Sequence, residues 1–316
     1  MLEKNHFLEE EIMQERFAEY EASKNKETNW TTPYVVSGDI EYLVQRWTES
    51  KGFKTPCNDL FVQLRSDFID YMNQIFPKFD FIDESELSDG LKSCVEQTGL
   101  FPISLDRVYY QSQPALDITR LIDLEGKDKG LGRRRDAPPL LQQFRNLKDI
   151  GVKEVVLVDD VIFSGDLIVR VSGILEKVRI KVPVVCVGIA IKEGVDKLTA
   201  SSKIIKAVRY YNNVIDEICE RDFYPGVPLS GRLLYGKNNI GAPYILPFGN
   251  PGKWASIPKE WQEPLSRFCI IQTIKLFEEI EKESGREIRC SDLERTVAKL
   301  PDNETRYIDA LKSILD

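Results

Sequence analysis

The spacing of apolar residues separates helical ends of the chain from a central segment with strand-like runs. Apolar side chains recur at helical intervals in residues 2–23, 39–50 and 58–76, and prolines punctuate these stretches. Residues 1–100 are therefore predicted to form a helical N-terminal region.

The central segment alternates between strand and helix patterns. Residues 155–158 (VVLV) and 182–191 (VPVVCVGIAI) are continuous apolar runs, which are typical of strands buried in a parallel sheet. Residues 167–178 between them have helical periodicity. Further strands are predicted at residues 105–111 (LDRVYYQ) and 203–208 (KIIKAV). This alternation predicts an α/β domain with a parallel sheet over residues 101–258.

Two segments follow the predicted sheet. Residues 224–258 are rich in Gly, Pro and aromatic residues, and such a segment either roofs a pocket or covers a sheet edge with buried aromatics. Residues 259–316 return to helical patterns at 263–283, 291–300 and 303–315. We expect these C-terminal helices to serve packing or oligomerisation.

Charge and composition narrow the function classes. A net charge of −8 argues against indiscriminate binding to nucleic acid. The longest uncharged apolar run, residues 182–191, is shorter than the roughly 20 residues that cross a bilayer. The acidic N-terminal residues lack the apolar core of a secretory signal. We therefore expect a cytoplasmic protein without a membrane segment.

Cysteine and histidine usage excludes two kinds of chemistry. The six cysteines have no CxxC spacing, and His6 is the one histidine of the chain. A zinc site and a histidine-dependent catalytic triad are therefore disfavoured. Acid–base chemistry must come from carboxylates, Lys, Tyr or the substrate.

The candidate site follows the apolar run at residues 155–158. Asp159 and Asp160 come first, and a turn containing Ser164 and Gly165 then leads into the predicted helix. Adjacent carboxylates at the carboxyl end of a buried strand suit vicinal hydroxyls or Mg2+, and N–H groups at a helix start suit a phosphate. Alternatively, Ser164 or Asp166 is only a helix N-cap.

The sequence DDVIFSGDL (residues 159–167) resembles the signature of type I phosphoribosyltransferases. That resemblance implies a phosphoribosyltransferase-like α/β core between helical flanks. It also implies that Asp159 and Asp160 bind the ribose hydroxyls of phosphoribosyl pyrophosphate or a nucleotide, whereas Ser164 and Gly165 bind the 5′-phosphate. Asp166 and Leu167 stand where the family has small residues, and a carboxylate beside a phosphate is repulsive unless it points away or shares a cation.

The sequence DDVIFSGD, with Phe163 before the serine, is similar to that of divergent phosphoribosyltransferases of bacterial conflict systems, including retron-type antiphage cassettes. By this resemblance the chain is an antiphage defence effector. The candidate substrate-binding residues of the signature are Phe163, Ser164, Gly165, Asp166 and Leu167.

A basic segment precedes the signature. Residues 127–135 (KDKGLGRRR) are predicted to form a mobile loop, which in phosphoribosyltransferases closes over pyrophosphate. Arg133, Arg134 and Arg135 are candidates for contacting pyrophosphate, with Arg120 as a further candidate. The alternative is a solvated loop or a contact to a protein or nucleic-acid partner.

Together these features predict an enzyme that acts at the anomeric carbon of a phosphoribosyl or nucleotide substrate with Mg2+. Asp159 and Asp160 are its candidate catalytic residues and its candidate metal ligands. One alternative is a non-catalytic sensor of the same ligands. The other alternative is a partner-binding subunit of a defence complex. The protein could form a homo-oligomer under any of these three interpretations.

Overall fold

The computed structural model describes residues 31–123, 127–237 and 239–316, and the side chains of Arg120 and Asp128 lie outside this description. One compact unit consists of residues 83–121 and 128–214, and the remaining described residues form a second unit. The helix predicted at residues 2–23 lies outside the described residues.

The helices and strands follow one another along the chain with short connections. In chain order they are β1 (Tyr34–Ser37), α1 (Ile40–Lys51), α2 (Asn58–Ile75), β2 (Phe79–Ile82), α3 (Glu84–Glu96), β3 (Phe101–Ser104), β4 (Ile118–Ile122), β5 (Asp128–Arg133), α4 (Leu140–Asp149), β6 (Glu154–Ile162), α5 (Asp166–Lys177), β7 (Lys181–Ile191), α6 (Lys192–Ala200), β8 (Ile204–Tyr211), β9 (Glu217–Cys219), β10 (Arg232–Leu234), β11 (Ile240–Ala242), α7 (Pro251–Trp254), α8 (Lys259–Ser284), β12 (Thr296–Val297) and α9 (Tyr307–Leu315).

A parallel sheet forms the centre of the first unit, with the strand order β3-β6-β7-β8. On one face, Val155 and Leu157 of β6 pack in a buried cluster with side chains of α4 and α5. On the other face, a methyl group at Gly188 would lie 3.2 Å from Leu87 of α3. Helices thus cover both faces, which explains why β6 and β7 are almost continuously apolar. The predicted α/β class with a parallel-sheet core is confirmed.

The second unit contains a smaller parallel sheet in the order β2-β1-β9. The helices predicted at residues 39–50 and 58–76 are present as α1 and α2. The strands β1 and β2 were not predicted, because runs of four residues are too short to show a clear period. The sequence suggested consecutive regions at 1–100, 101–258 and 259–316, whereas each unit combines separate stretches of chain.

Three predicted elements are wrong. Residues 105–111 turn instead of extending, because the Asp106 carboxylate accepts hydrogen bonds from the N–H groups of the residues that follow. Residues 291–300 form a short 3-10 helix, Cys290–Asp292, and then β12, since the Asp292 carboxylate accepts from the Arg289 N–H. The predicted basic loop at 127–135 is largely the strand β5.

The glycines of the basic segment serve close packing. A methyl group at Gly132 would lie 2.6 Å from the Leu121 side chain, so glycine lets β5 approach β4. The Arg134 N–H donates to the Asp117 carbonyl at 3.0 Å and closes the hairpin. Composition alone did not distinguish this tight pairing from flexibility.

Buried charges collect where β1 and β9 of the second unit end. Glu220 is fully buried, and its Oε2 accepts a hydrogen bond from the Asp39 N–H at 3.2 Å. Arg65 Nη2 lies 3.7 Å from the same oxygen, whereas no hydrogen bond within the described part of the chain reaches Oε1. Burial raises the pKa of Glu220 to about 7, because the cation of Arg65 only partly offsets the loss of solvation.

This raised pKa predicts a pH-dependent stability. The folded chain retains a proton on Glu220 that the unfolded chain releases, so the free energy of unfolding falls as pH rises through 5 to 7. We expect Glu220→Gln to flatten this dependence, since an amide does not titrate. Urea unfolding between pH 5 and pH 8 measures the effect, with the exposed Glu260→Gln as control. An unchanged slope in Glu220→Gln would contradict the assignment.

Candidate functional site

The acidic pair lies inside a strand and not beyond its end. β6 continues through Asp159 and Asp160 to Ile162, because Val161 and Ile162 pair with β7 at Ile189 and Ala190. Side chains of successive strand residues point to opposite faces, so the two carboxylates leave β6 on opposite sides. Asp159 is 6% exposed, and Asp160 is half-buried.

Each carboxylate is oriented by the next peptide group. Asp159 Oδ1 accepts a hydrogen bond from the Asp160 N–H at 3.1 Å, and Asp160 Oδ1 accepts from the Val161 N–H at 2.8 Å. A carboxylate offers about four acceptor positions, and this backbone hydrogen bond fills one of them.

Asp106, which the sequence did not identify as a site residue, belongs to the same edge of the sheet. It follows β3, whose Ser104 pairs with Val158 of β6. Its buried carboxylate accepts from three N–H groups at 2.6–2.9 Å, those of residues 108, 109 and 110. The carboxyl ends of neighbouring parallel strands meet at one edge, but predicting a strand at 105–111 placed Asp106 in its interior.

These groups control the protonation of Asp159. Burial, followed by the negative charges of Asp160 and Asp106, raises the pKa of Asp159 well above its usual range. The Asp160 N–H and the Arg134 guanidinium act in the opposite direction. Asp159 therefore holds its proton more tightly than an ordinary aspartate does.

Arg134 belongs to the predicted trio, and its positive charge lowers the pKa of Asp159. Its guanidinium donates to the carbonyls of Ile118 and Leu105, both at 3.1 Å. Arg133 donates to the Ala137 carbonyl at 2.8 Å, and the exposed Arg135 lies 3.6 Å from Asp136. These contacts hold the end of the β4–β5 hairpin together, and contact with pyrophosphate stays a prediction. Arg120 lies on β4.

The turn between β6 and α5 places Ser164, Gly165 and Asp166 together. Gly165 has a φ of +79°, a conformation that glycine adopts without strain. Ser164 Oγ donates to Asp166 Oδ2 at 2.7 Å, and Lys197 of α6 forms an ion pair with Asp166. Asp166 is thus a cation partner as well as the first residue of α5.

The two neighbours of this turn have packing roles. Leu167 packs against the buried cluster of the first unit. Phe163 supplies a carbonyl oxygen that would lie 2.5 Å from a methyl group at Gly194 of α6. Gly194 therefore lets α6 lie directly against the turn. Lys197 and Gly194 gave no motif in the sequence, because their relevance depends on where α6 packs.

The acidic pair fits a shared Mg2+ better than an ion held by protein alone. Within residues 31–123, 127–237 and 239–316, no three acidic, His or Cys side chains surround a common point. Mg2+ usually binds one or two carboxylates together with waters and phosphate oxygens. Asp160, being half-buried, is suited to be such a carboxylate. The metal therefore stays a prediction.

In the described part of the chain, each helix is too short or too polar to cross a bilayer. No protein-family model matches the chain, and no curated protein matches it.

Two solved phosphoribosyltransferases are similar to part of the chain. The orotate phosphoribosyltransferase from Aeropyrum pernix is 15% identical, with a TM-score of 0.24, over 40% of this chain and 68% of that one. The adenine phosphoribosyltransferase from Thermoanaerobacter pseudethanolicus is 14% identical, with a TM-score of 0.27, over 40% of this chain and 80% of that one. Scores this low carry no functional argument, and the fold class rests on the strand order and parallel registers.

The contacts of the arginines predict different costs of removing them. Arg134→Met leaves two carbonyls without their donor, so we expect a loss of about 1–3 kcal/mol in the free energy of unfolding. Arg135→Met alters an exposed side chain and is expected to change it by less than about 0.5 kcal/mol. Urea unfolding of both variants measures the difference. Equal stability of the two would show that the Arg134 contacts are dispensable.

Proposed function

We propose that the first unit binds a ribosyl compound at the carboxyl edge of its sheet and transfers the pentosyl group, as a phosphoribosyltransferase-like enzyme. One observation carries the proposal: the adjacent carboxylates of Asp159 and Asp160 lie within the last four residues of a buried parallel strand, close to the edge where such sheets bind ligands. Burying Asp159 costs stability, and a function in ligand binding accounts for that cost.

The carboxylates are suited to hold ribose. Hydroxyl groups donate and carboxylates accept, and charge-assisted hydrogen bonds of this kind are short and strong. A ribose bound at the end of β6 would offer a different hydroxyl to each of Asp159 and Asp160. Burial, together with the charges of Asp160, Asp106 and Arg134, would then decide whether Asp159 accepts or donates.

The reaction breaks the bond between the anomeric carbon and its leaving group, which departs with the electron pair. An acceptor atom then forms the new bond to that carbon. Positive charge develops on the sugar, so nearby carboxylates stabilise the transition state electrostatically. Arg133 and Arg135 are candidates for meeting a pyrophosphate leaving group, and Arg120 is a further one. Mg2+, held by Asp160 together with substrate oxygens, would neutralise the departing charge.

A second candidate function is a non-catalytic sensor of ribosyl compounds. The ion pair of Asp166 with Lys197 favours it, because this pair occupies the turn where the resemblance expects a phosphate. We also propose a defence role in the cytoplasm. The protein would act there as an oligomer or with a protein or nucleic-acid partner. The sequence motif DDVIFSGD is the only support for this role. The partner-binding subunit is the remaining alternative.

The acidic pair provides the test. We expect Asp159→Asn and Asp160→Asn each to lower binding or turnover at least tenfold, because an amide accepts fewer hydrogen bonds and carries no charge. Calorimetric titration with phosphoribosyl pyrophosphate, NAD and adenosine, each with Mg2+, measures binding, and chromatography of the mixtures detects products.

The exposed Asp149→Asn is the matched control, and thermal melting checks the fold of every variant. Turnover by the parent supports the enzyme, and binding without turnover supports the sensor. If both Asn variants bind and react like the parent, the ribose assignment is wrong.

A further inference from the structure

We propose that the Asp166 carboxylate supplies the negative charge of the turn after β6, and that the ligand of this site carries no phosphate at its 5′ position. The inference rests on the proposed function for the ribosyl part of the ligand. Its claim about the turn rests on the geometry of Ser164, Asp166 and Lys197.

The hydroxyl of the turn already has an anionic partner. Ser164 Oγ donates to Asp166 Oδ2 at 2.7 Å, and the Asp166 N–H points back to Ser164 Oγ at 3.4 Å. A phosphate at a helix N-terminus needs such hydroxyl and N–H donors. Here the carboxylate of the chain itself already accepts from the hydroxyl that a ligand phosphate would use.

A neighbouring cation, Lys197, is paired with the same carboxylate. Lys197 Nζ pairs with Asp166 Oδ1 on the other side of the carboxylate. The Asp166 side chain is 28% exposed, so solvent screens its charge only in part. An incoming phosphate would therefore meet a negative charge and would have to compete for the lysine.

The packing of α6 fixes this arrangement. A methyl group at Gly194 would lie 2.5 Å from the Phe163 carbonyl oxygen and 3.1 Å from the Gly165 nitrogen. The turn and the first residues of α6 are thus in direct contact, and Lys197 lies one turn further along α6. The turn therefore cannot move toward α6 unless α6 also moves.

Inorganic phosphate, adenosine and adenosine 5′-monophosphate are the probes for a calorimetric test with the full chain. The variants are Asp166→Asn, which keeps the side-chain volume, Lys197→Met, and the double variant. We expect the parent to bind adenosine at least tenfold more tightly than the monophosphate. Asp166→Asn should bind phosphate and the monophosphate at least tenfold more tightly than the parent does. The double variant should lose this gain, because Lys197 is the cation that the phosphate would recruit.

Matched controls come from the neighbouring ion pair of α6, in which Lys192 Nζ lies 2.8 Å from Asp196. Asp196→Asn and Lys192→Met should leave all three affinities unchanged, and melting curves verify folding. A parent that binds the monophosphate more tightly than adenosine overturns the inference, as does an Asp166→Asn variant without a gain for phosphate. If phosphate behaves as expected but adenosine binds no protein, the claim about the turn stands and the proposed ribosyl function fails.

Discussion

The structure of the first unit depends on how one buried carboxylate is accommodated. Asp159 lies within an otherwise apolar strand, and an ionised group in such a place is destabilising unless nearby dipoles or cations compensate. The Asp160 N–H and Arg134 provide part of that compensation, while Asp106 opposes it. A change of charge beside Asp159 would therefore change how tightly this carboxyl group holds its proton.

Several elements can be understood from this constraint. The turn after β3 ties the Asp106 carboxylate to three peptide groups and so fixes its position. The β4–β5 hairpin positions Arg134, whose guanidinium is anchored on two carbonyls. After the end of β6, the contact of α6 with the turn at Gly165 brings Lys197 to Asp166. The charges around Asp159 in β6 therefore differ from those around Asp166 at the start of α5.

The sequence was sufficient to predict β6, β7 and α5, because continuous apolar runs and helical periodicity reflect burial directly. It predicted the acidic pair at the end of the apolar run, whereas β6 continues through both residues. Asp106 was missed because tyrosines beside it indicated a strand, whereas local hydrogen bonds to its carboxylate make a turn. The Gly-rich sequence of β5 predicts a loop, because composition does not show that Gly132 serves close packing against Leu121. Lys197 could not be foreseen, since its contact joins residues 31 positions apart.

The central claim is that ribose hydroxyls bind at the acidic pair of β6. The most direct measurement is a crystal structure of the protein grown with adenosine. The account predicts a ribose whose 2′ and 3′ hydroxyl oxygens lie within about 3.2 Å of the carboxylates of Asp159 and Asp160. A ribosyl compound bound elsewhere on the chain, with both carboxylates out of its reach, would contradict it.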